Sequence, residues 1–227
     1  MKSKLVSLVL LAGGVLGALG AAESAPAPCC DPAKPAAAAC CAPEKPAATL
    51  APCCVEEKPD KPLTDRSLYQ HDAVWTSDAG RPVKLASLRG QPVIVAMFFA
   101  SCEYACPVLV KDVQRARDLL APEVRAKTKV LLVTFDTARD TPPALRAFRE
   151  RFELDENWVL LRGADTAVQD LAMLLGVKYK LDARGQYSHS NLMTVLNHEG
   201  EIAHQHAGLM GDVSEVAKKI AGLKSGI

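Results

Sequence analysis

Eight cysteines stand in this chain of 227 residues. Two of them, Cys102 and Cys106, sit where thiols do chemistry. They follow the apolar, β-rich run Val93 to Phe99 in the stretch V-I-V-A-M-F-F-A-S-C-E-Y-A-C-P. Pro107 comes next, a residue suited to the first turn of a helix, and an amphipathic segment continues from it. The pattern is a strand-to-helix turn with two thiols at its mouth. The partial positive charge of a helix N-terminus favours thiolate over thiol. Thiolate is both a nucleophile and a soft-metal ligand, so disulfide exchange and metal binding are both open here.

Four residues apart, the two cysteines face the same way if the loop is helical. Two thiolates alone are an incomplete site for a copper ion that must be held and then released. An imidazole completes a site able to hold both Cu(I) and Cu(II). The best candidate is His189 in Y-S-H-S-N, placed in a polar loop ahead of the apolar run Leu192 to Leu196. Asp136 ends the second apolar run, K-V-L-L-V-T-F. It is either a plain strand-end acid or a residue that orients the site without binding the ion. His204 and His206 share a strand face with Ile202 by period two, and a solvated face explains them better than an accessory site. His71 and His198 read as surface, and Met97 as core.

The other six cysteines form adjacent pairs in an imperfect repeat: P-C-C-D-P-A-K-P, A-C-C-A-P-E-K-P and P-C-C-V-E-E-K-P. Adjacent cysteines close only a small, strained disulfide ring, so Cys29–Cys30, Cys40–Cys41 and Cys53–Cys54 are poor staples. Paired thiolates do suit Cu(I), which takes few, soft ligands, and the repetition favours metal capture over an inert spacer. Their surroundings, Ser24 to Leu63, are alanine, proline, lysine and acidic residues with almost nothing to build a core, and read as disordered. Before them, Lys2 and Lys4 lead an apolar run that ends in small residues at Gly20 to Ala22. That is a signal-peptide pattern, with an uncleaved membrane anchor as the alternative. Either way the remainder is expected outside the cytoplasm, in the periplasm, possibly held at the inner membrane if uncleaved. The formal net charge of +1 gives no reason to invoke nucleic acid as a partner.

These residues need a scaffold. Val74 to Thr76 and Val83 to Leu85 flank the turn S-D-A-G and form a hairpin. Val93 to Phe99 and Lys129 to Phe135 are strands buried on both faces. A helix runs from Pro107 toward Pro122, and a second opens at D-T-P-P, Asp140 to Pro143, with Leu145, Phe148 and Phe152 at helical spacing. Trp158 to Leu161 is a short strand. Thr166 with Gln169 is a capping-box signature for a helix to about Leu175. Leu192 to Leu196, N-H-E-G and Glu201 to Gln205 form a late hairpin. Asp212 caps a last helix with Val213, Val216, Ala217 and Ile220 inward. Strands alternating with helices predict an α/β sandwich around a mixed sheet, with chemistry at the carboxyl ends of its strands. The domain plan is 1–22 signal peptide or anchor, 23–64 disordered leader, and 65–227 folded domain.

C-E-Y-A-C-P after one strand, F-D-T-A-R-D-T-P after the next and Y-S-H-S-N late in the chain occur in the order and spacing of the Sco/SenC family. The chain resembles that family over about Ser67 to Leu223. The resemblance implies a thioredoxin-like fold and copper ligation by Cys102, Cys106 and His189, with Asp136 nearby. It implies copper delivery to the dinuclear copper site of cytochrome c oxidase subunit II, or to another periplasmic copper protein. Two departures stand out: Asp136-Thr137-Ala138-Arg139 replaces the family's usual D-P-E-R, and the paired-cysteine leader lies outside its core pattern. The alternative function is a thiol–disulfide oxidoreductase or peroxidase on the same fold. Against it, three residues rather than two separate the cysteines, and no proline follows Pro143 to supply the cis-proline such enzymes place opposite their thiols.

Overall fold

In the computed structural model, which describes residues 62–183 and 185–223, the apolar run before the cysteines is a central strand. In chain order, β1 (Trp75–Ser77) and β2 (Pro82–Val83) form the first hairpin, and β3 (Val93–Phe98) follows. Next come α1 (Ala105–Asp118), α2 (Pro122–Lys127), β4 (Lys129–Thr134), α3 (Pro142–Arg151), β5 (Trp158–Arg162) and α4 (Asp165–Leu175). The chain closes with β6 (Tyr179–Leu181), β7 (Tyr187–His189), β8 (Leu192–Leu196), β9 (Ile202–Ala207) and α5 (Ser214–Ala221). Seven strands form one mixed sheet in the order β2-β1-β5-β4-β3-β8-β9, and β6 and β7 pair separately. The parallel pairs β3–β4 and β4–β5 sit at the centre, and β8 runs antiparallel to β3. This is the mixed sheet that the alternation of elements predicts, in the thioredoxin-like form that the family resemblance implies.

Every residue of β3 is buried, because β4 and β8 flank it and helices cover both faces. Side-chain alternation separates those faces. On one, Phe98 packs on Phe148 of α3 with ring centroids 4.6 Å apart, and α1 packs beside α5. On the other, Gln205 bonds Thr194 and reaches the carbonyl of Leu175 at the end of α4. The carboxyl ends of β3 and β4 emerge together, since Phe98 pairs with Thr134. Cys102 and Asp136 therefore leave the sheet side by side.

Several local readings differ from the observed elements. Helix α1 starts at Ala105, so Cys106 lies inside its first turn ahead of Pro107. Helix α4 starts at Asp165 with Ala164 as its cap and no side-chain cap bond, so Thr166 and Gln169 form no capping box. Asp212 accepts the Ser214 N–H and hydroxyl at the head of α5, and Val213, Val216, Ala217 and Ile220 are buried as expected. His189 ends β7, where a loop was expected. The leader, its three cysteine pairs and the N-terminal segment lie outside the described residues.

Candidate metal centre

Phe99 leaves β3 and the chain turns at once, with the Cys102 N–H donating to the Phe99 carbonyl at 3.2 Å. Helix α1 begins three residues later, and its cap residue Tyr104 makes no side-chain cap bond. Helix starts carry N–H groups without intrahelical partners. Here the Cys102 sulfur serves one of them, accepting the Cys106 N–H at 3.3 Å. The Cys102 thiol is pushed down to about 5, first by the hydrogen bond from the Cys106 thiol. The backbone N–H groups of Cys106, Tyr104 and Ala105 add to this, while burial opposes it. Cys106 is pushed up, because it is the donor in that bond and because it is buried. Both shifts favour the thiolate on Cys102 and the proton on Cys106. Cys102 is also the more exposed residue, at 7% against 0% for Cys106, and it alone of the two lines the cleft described below.

The imidazole arrives from the β6–β7 hairpin. His189 Nε2 lies 3.8 Å from Cys106 Sγ, and the ligand atoms of Cys102, Cys106 and His189 all fall within 4.8 Å of one another. Among the described residues this is the one such convergence of three or more metal-ligating side chains. His189 Nδ1 is 3.2 Å from the Ser190 carbonyl. A carbonyl only accepts, so Nδ1 carries the proton and the Nε2 lone pair faces the sulfurs. That is how ligand histidines are set by their second nitrogen. Bonds of roughly 2.0–2.3 Å to nitrogen and sulfur space trigonal ligands roughly 3.5–4 Å apart. The three side chains thus fit one soft ion with only small adjustment.

An aromatic cluster holds the hairpin in place. Phe135, at the end of β4, stacks on Tyr179 with centroids 5.0 Å apart and rings 12° from parallel. It meets the rings of Tyr187 and His189 at 5.0 Å each. Phe99 meets Tyr187 at 5.4 Å and presents to His189 edge-on at 6.0 Å. The last apolar residue of each buried strand therefore positions the histidine. Strand periodicity marks Phe99 and Phe135 only as core. The cleft outside them, about 450 Å³, is lined by Phe99, Cys102, Tyr104, Tyr187 and His189 among others. Larger grooves of about 590 and 920 Å³ lie elsewhere and contain no cysteine.

Two acids lie behind the site. Asp136 is 2% exposed and is outside the converging set. Its carboxylate accepts the Arg139 backbone N–H at 3.2 Å and the Arg139 Nε–H. Asp140, read from the sequence only as a helix opener, is equally buried. It accepts the Ala100 N–H at 2.9 Å and the Thr134 hydroxyl, tying the turn before Cys102 to the end of β4. Burial pushes its carboxyl up, and its charge acts on Cys106. An acid just after a strand and before a proline-led helix was the available signal, and Asp136 and Asp140 both answer to it.

The remaining histidines stay away from the thiols. His204 and His206 lie half-covered on β9, each with Nε2 buried and unpartnered, where a solvated face was expected. His71, expected at the surface, packs on Trp75 at 5.8 Å and pairs with Asp170 at 3.9 Å.

Comparison with known proteins agrees with this architecture. The SCO1/SenC family model matches residues 63–225. A protein of Stutzerimonas stutzeri named as copper-binding is 26% identical over 142 residues, covering 61% of this chain and 68% of that protein. A SCO1/SenC family lipoprotein from Bacillus anthracis superposes with a TM-score of 0.61 at 19% identity, covering 66% of this chain and 91% of that one. Arabidopsis thaliana ScoI, solved with copper bound, gives 0.57 at 20% identity, covering 66% and 96%. At these identities the structural likeness is one of fold.

Proposed function

The chain belongs to the SCO1/SenC family, and from that premise we propose that it is a copper chaperone acting outside the cytoplasm. It takes copper onto Cys102, Cys106 and His189 and passes it to the dinuclear copper site of cytochrome c oxidase subunit II or to another periplasmic copper protein. The observation that carries this reading is the convergence of two sulfurs and an oriented imidazole nitrogen within 4.8 Å. The copper named for a relative and present in a solved neighbour supports the choice of ion.

The residues divide the work. Cys102 and Cys106 provide soft ligands for Cu(I), and His189 adds the harder ligand that Cu(II) needs. Cys102 faces the mouth as thiolate, so an acceptor thiolate exchanges there first. Cys106 stays enclosed and holds the ion until the acceptor's second ligand arrives. His189 sits on a separate hairpin, so its bond can open without disturbing the main sheet. The leader pairs Cys29–Cys30, Cys40–Cys41 and Cys53–Cys54 add Cu(I) capacity by the same thiolate chemistry.

A second reading is thiol–disulfide exchange. The Cys102 thiolate attacks an acceptor disulfide, one acceptor sulfur leaves as thiolate, and Cys106 then displaces the other. The chain's two thiols end as a disulfide and the acceptor's disulfide ends as two thiols. The low Cys102 pKa favours this step. The oriented imidazole supports copper as the third ligand beside two sulfurs, whereas in exchange it would serve only as a base for the Cys106 thiol.

The test is metal content and spectra after loading with copper. Cys102→Ala and Cys106→Ala lose Cu(I) retention at the core site. His189→Ala weakens Cu(II) more than Cu(I). An unchanged Cu(II) spectrum in His189→Ala removes the histidine from the ligand set. Failure of the loaded protein to metallate a purified subunit II copper domain removes that acceptor.

A further inference from the structure

We propose that Arg139 is a positioning residue for His189, acting through the ring of Tyr187, and that Asp136 works by holding Arg139 in place. The proposal rests on the copper site described above.

His189 belongs to a hairpin that shares no strand pairing with the seven-stranded sheet. Its orientation must come from side-chain contacts and from the chain on either side. Most of those contacts are between aromatic rings, which hold a hairpin down but resist sliding poorly. Arg139 adds a charged contact. Its guanidinium carbon lies 5.8 Å from the Tyr187 ring centroid. Tyr187 and His189 are two apart on β7, so their side chains leave the strand on the same face. Both rings also meet Phe99 and Phe135. Moving Tyr187 therefore moves the imidazole with it.

An arginine whose side chain is 45% exposed is ordinarily mobile, and a surface ion pair contributes little. Here the other half of the pair is buried, since the Asp136 side chain is 2% exposed. Asp136 takes both the backbone N–H and the Nε–H of Arg139. That double grip fixes the stem of the side chain and leaves the guanidinium to lie over Tyr187. Asp136 thus reaches the site without ligating it: it grips Arg139, Arg139 lies over Tyr187, and Tyr187 shares Phe99 and Phe135 with His189.

The test uses the full-length reduced chain, with its six leader cysteines changed to serine so that they neither bind nor reduce the ion, and aqueous Cu(II). It follows thiolate-to-copper absorption and the nitrogen hyperfine signal of a bound imidazole. Arg139→Ala lowers Cu(II) affinity about threefold to tenfold, between the effect of a lost cation–π contact and that of a lost outer partner. It also weakens the nitrogen signal and leaves Cu(I) nearly unchanged. Arg139→Lys restores most of the loss. Tyr187→Leu repeats it, and so provides a second variant should Arg139→Ala fold poorly. In a His189→Ala background, Arg139→Ala has no further effect, because positioning an absent ring changes nothing. If His189→Ala alone leaves Cu(II) untouched, the copper reading fails and this one with it. If His189→Ala weakens Cu(II) but Arg139→Ala does not, or acts equally in both backgrounds, the site stands and the role of Arg139 is wrong.

Discussion

Replacing Asp140 tests whether the thiol loop is held from behind. Its buried carboxylate accepts the Ala100 N–H at 2.9 Å and the Thr134 hydroxyl. Asp140→Ala leaves both donors without that acceptor. A buried donor left unpaired costs about 1–3 kcal/mol. The hydroxyl can rotate toward another acceptor, whereas the backbone N–H cannot, so the expected loss is about 2–3 kcal/mol. For a domain of this size each kcal/mol lowers Tm by about 2–4 °C, which gives a fall of about 4–12 °C. Asp140→Asn keeps an oxygen for both donors and loses about 1 kcal/mol or less. The pH dependence has a definite sign. Burial raises the folded carboxyl, so the native state binds the extra proton. The stabilising effect of that proton is complete below the ordinary aspartate range and is lost as pH rises through the folded value. The Asn variant has no such term. It should therefore gain on the unaltered protein as pH rises through that window and hold the gain at neutral pH. Guanidinium denaturation of reduced protein at several pH values measures this. An Ala variant within about 0.5 kcal/mol of the unaltered protein, an Asn variant as damaged as the Ala variant, or an opposite pH trend refutes the reasoning.

Three further outcomes are expected. Limiting iodoacetamide should label Cys102 before Cys106, with a rate that follows a thiolate titrating near about 5. Cys106→Ala should move that titration upward by removing the thiol donor, and first labelling of Cys106 contradicts the proton assignment. Phe135→Ala removes the ring shared by Tyr179, Tyr187 and His189. It should cost about 3–5 kcal/mol and weaken Cu(II) more than Cu(I); equal weakening of both ions denies Phe135 a role in placing the imidazole. Changing all six leader cysteines to serine should lower the Cu(I) capacity of reduced full-length protein without altering core-site affinity, and equal stoichiometry in both samples makes the leader a spacer.

The sequence was most legible where burial is complete. Strand β3 and strand β4 are buried nearly throughout, so their apolar runs stand out, and the thiols follow one of them directly. Helix α2 has no buried residue, so P-E-V-R-A-K carries no amphipathic stripe to read. Strands β6 and β7 are short and largely exposed; their order comes from Phe135 and Phe99, which are distant in sequence. The chemistry of two nearby thiols picks out His189, while the sequence pattern places it in a loop and the structure at the end of β7. Asp140 was missed because its role depends on the Ala100 N–H, forty residues away, and no local pattern records that contact.

The proposed centre is one copper held by two sulfurs and one imidazole. X-ray absorption at the copper edge tests it most directly, on reduced full-length protein whose six leader cysteines are serine. One copper per chain is expected, with two sulfur neighbours and one nitrogen neighbour showing the outer-shell scattering of an imidazole. In His189→Ala the imidazole pattern disappears while both sulfurs remain. Three or more sulfur neighbours, an imidazole signal that survives His189→Ala, or no retained copper contradicts it.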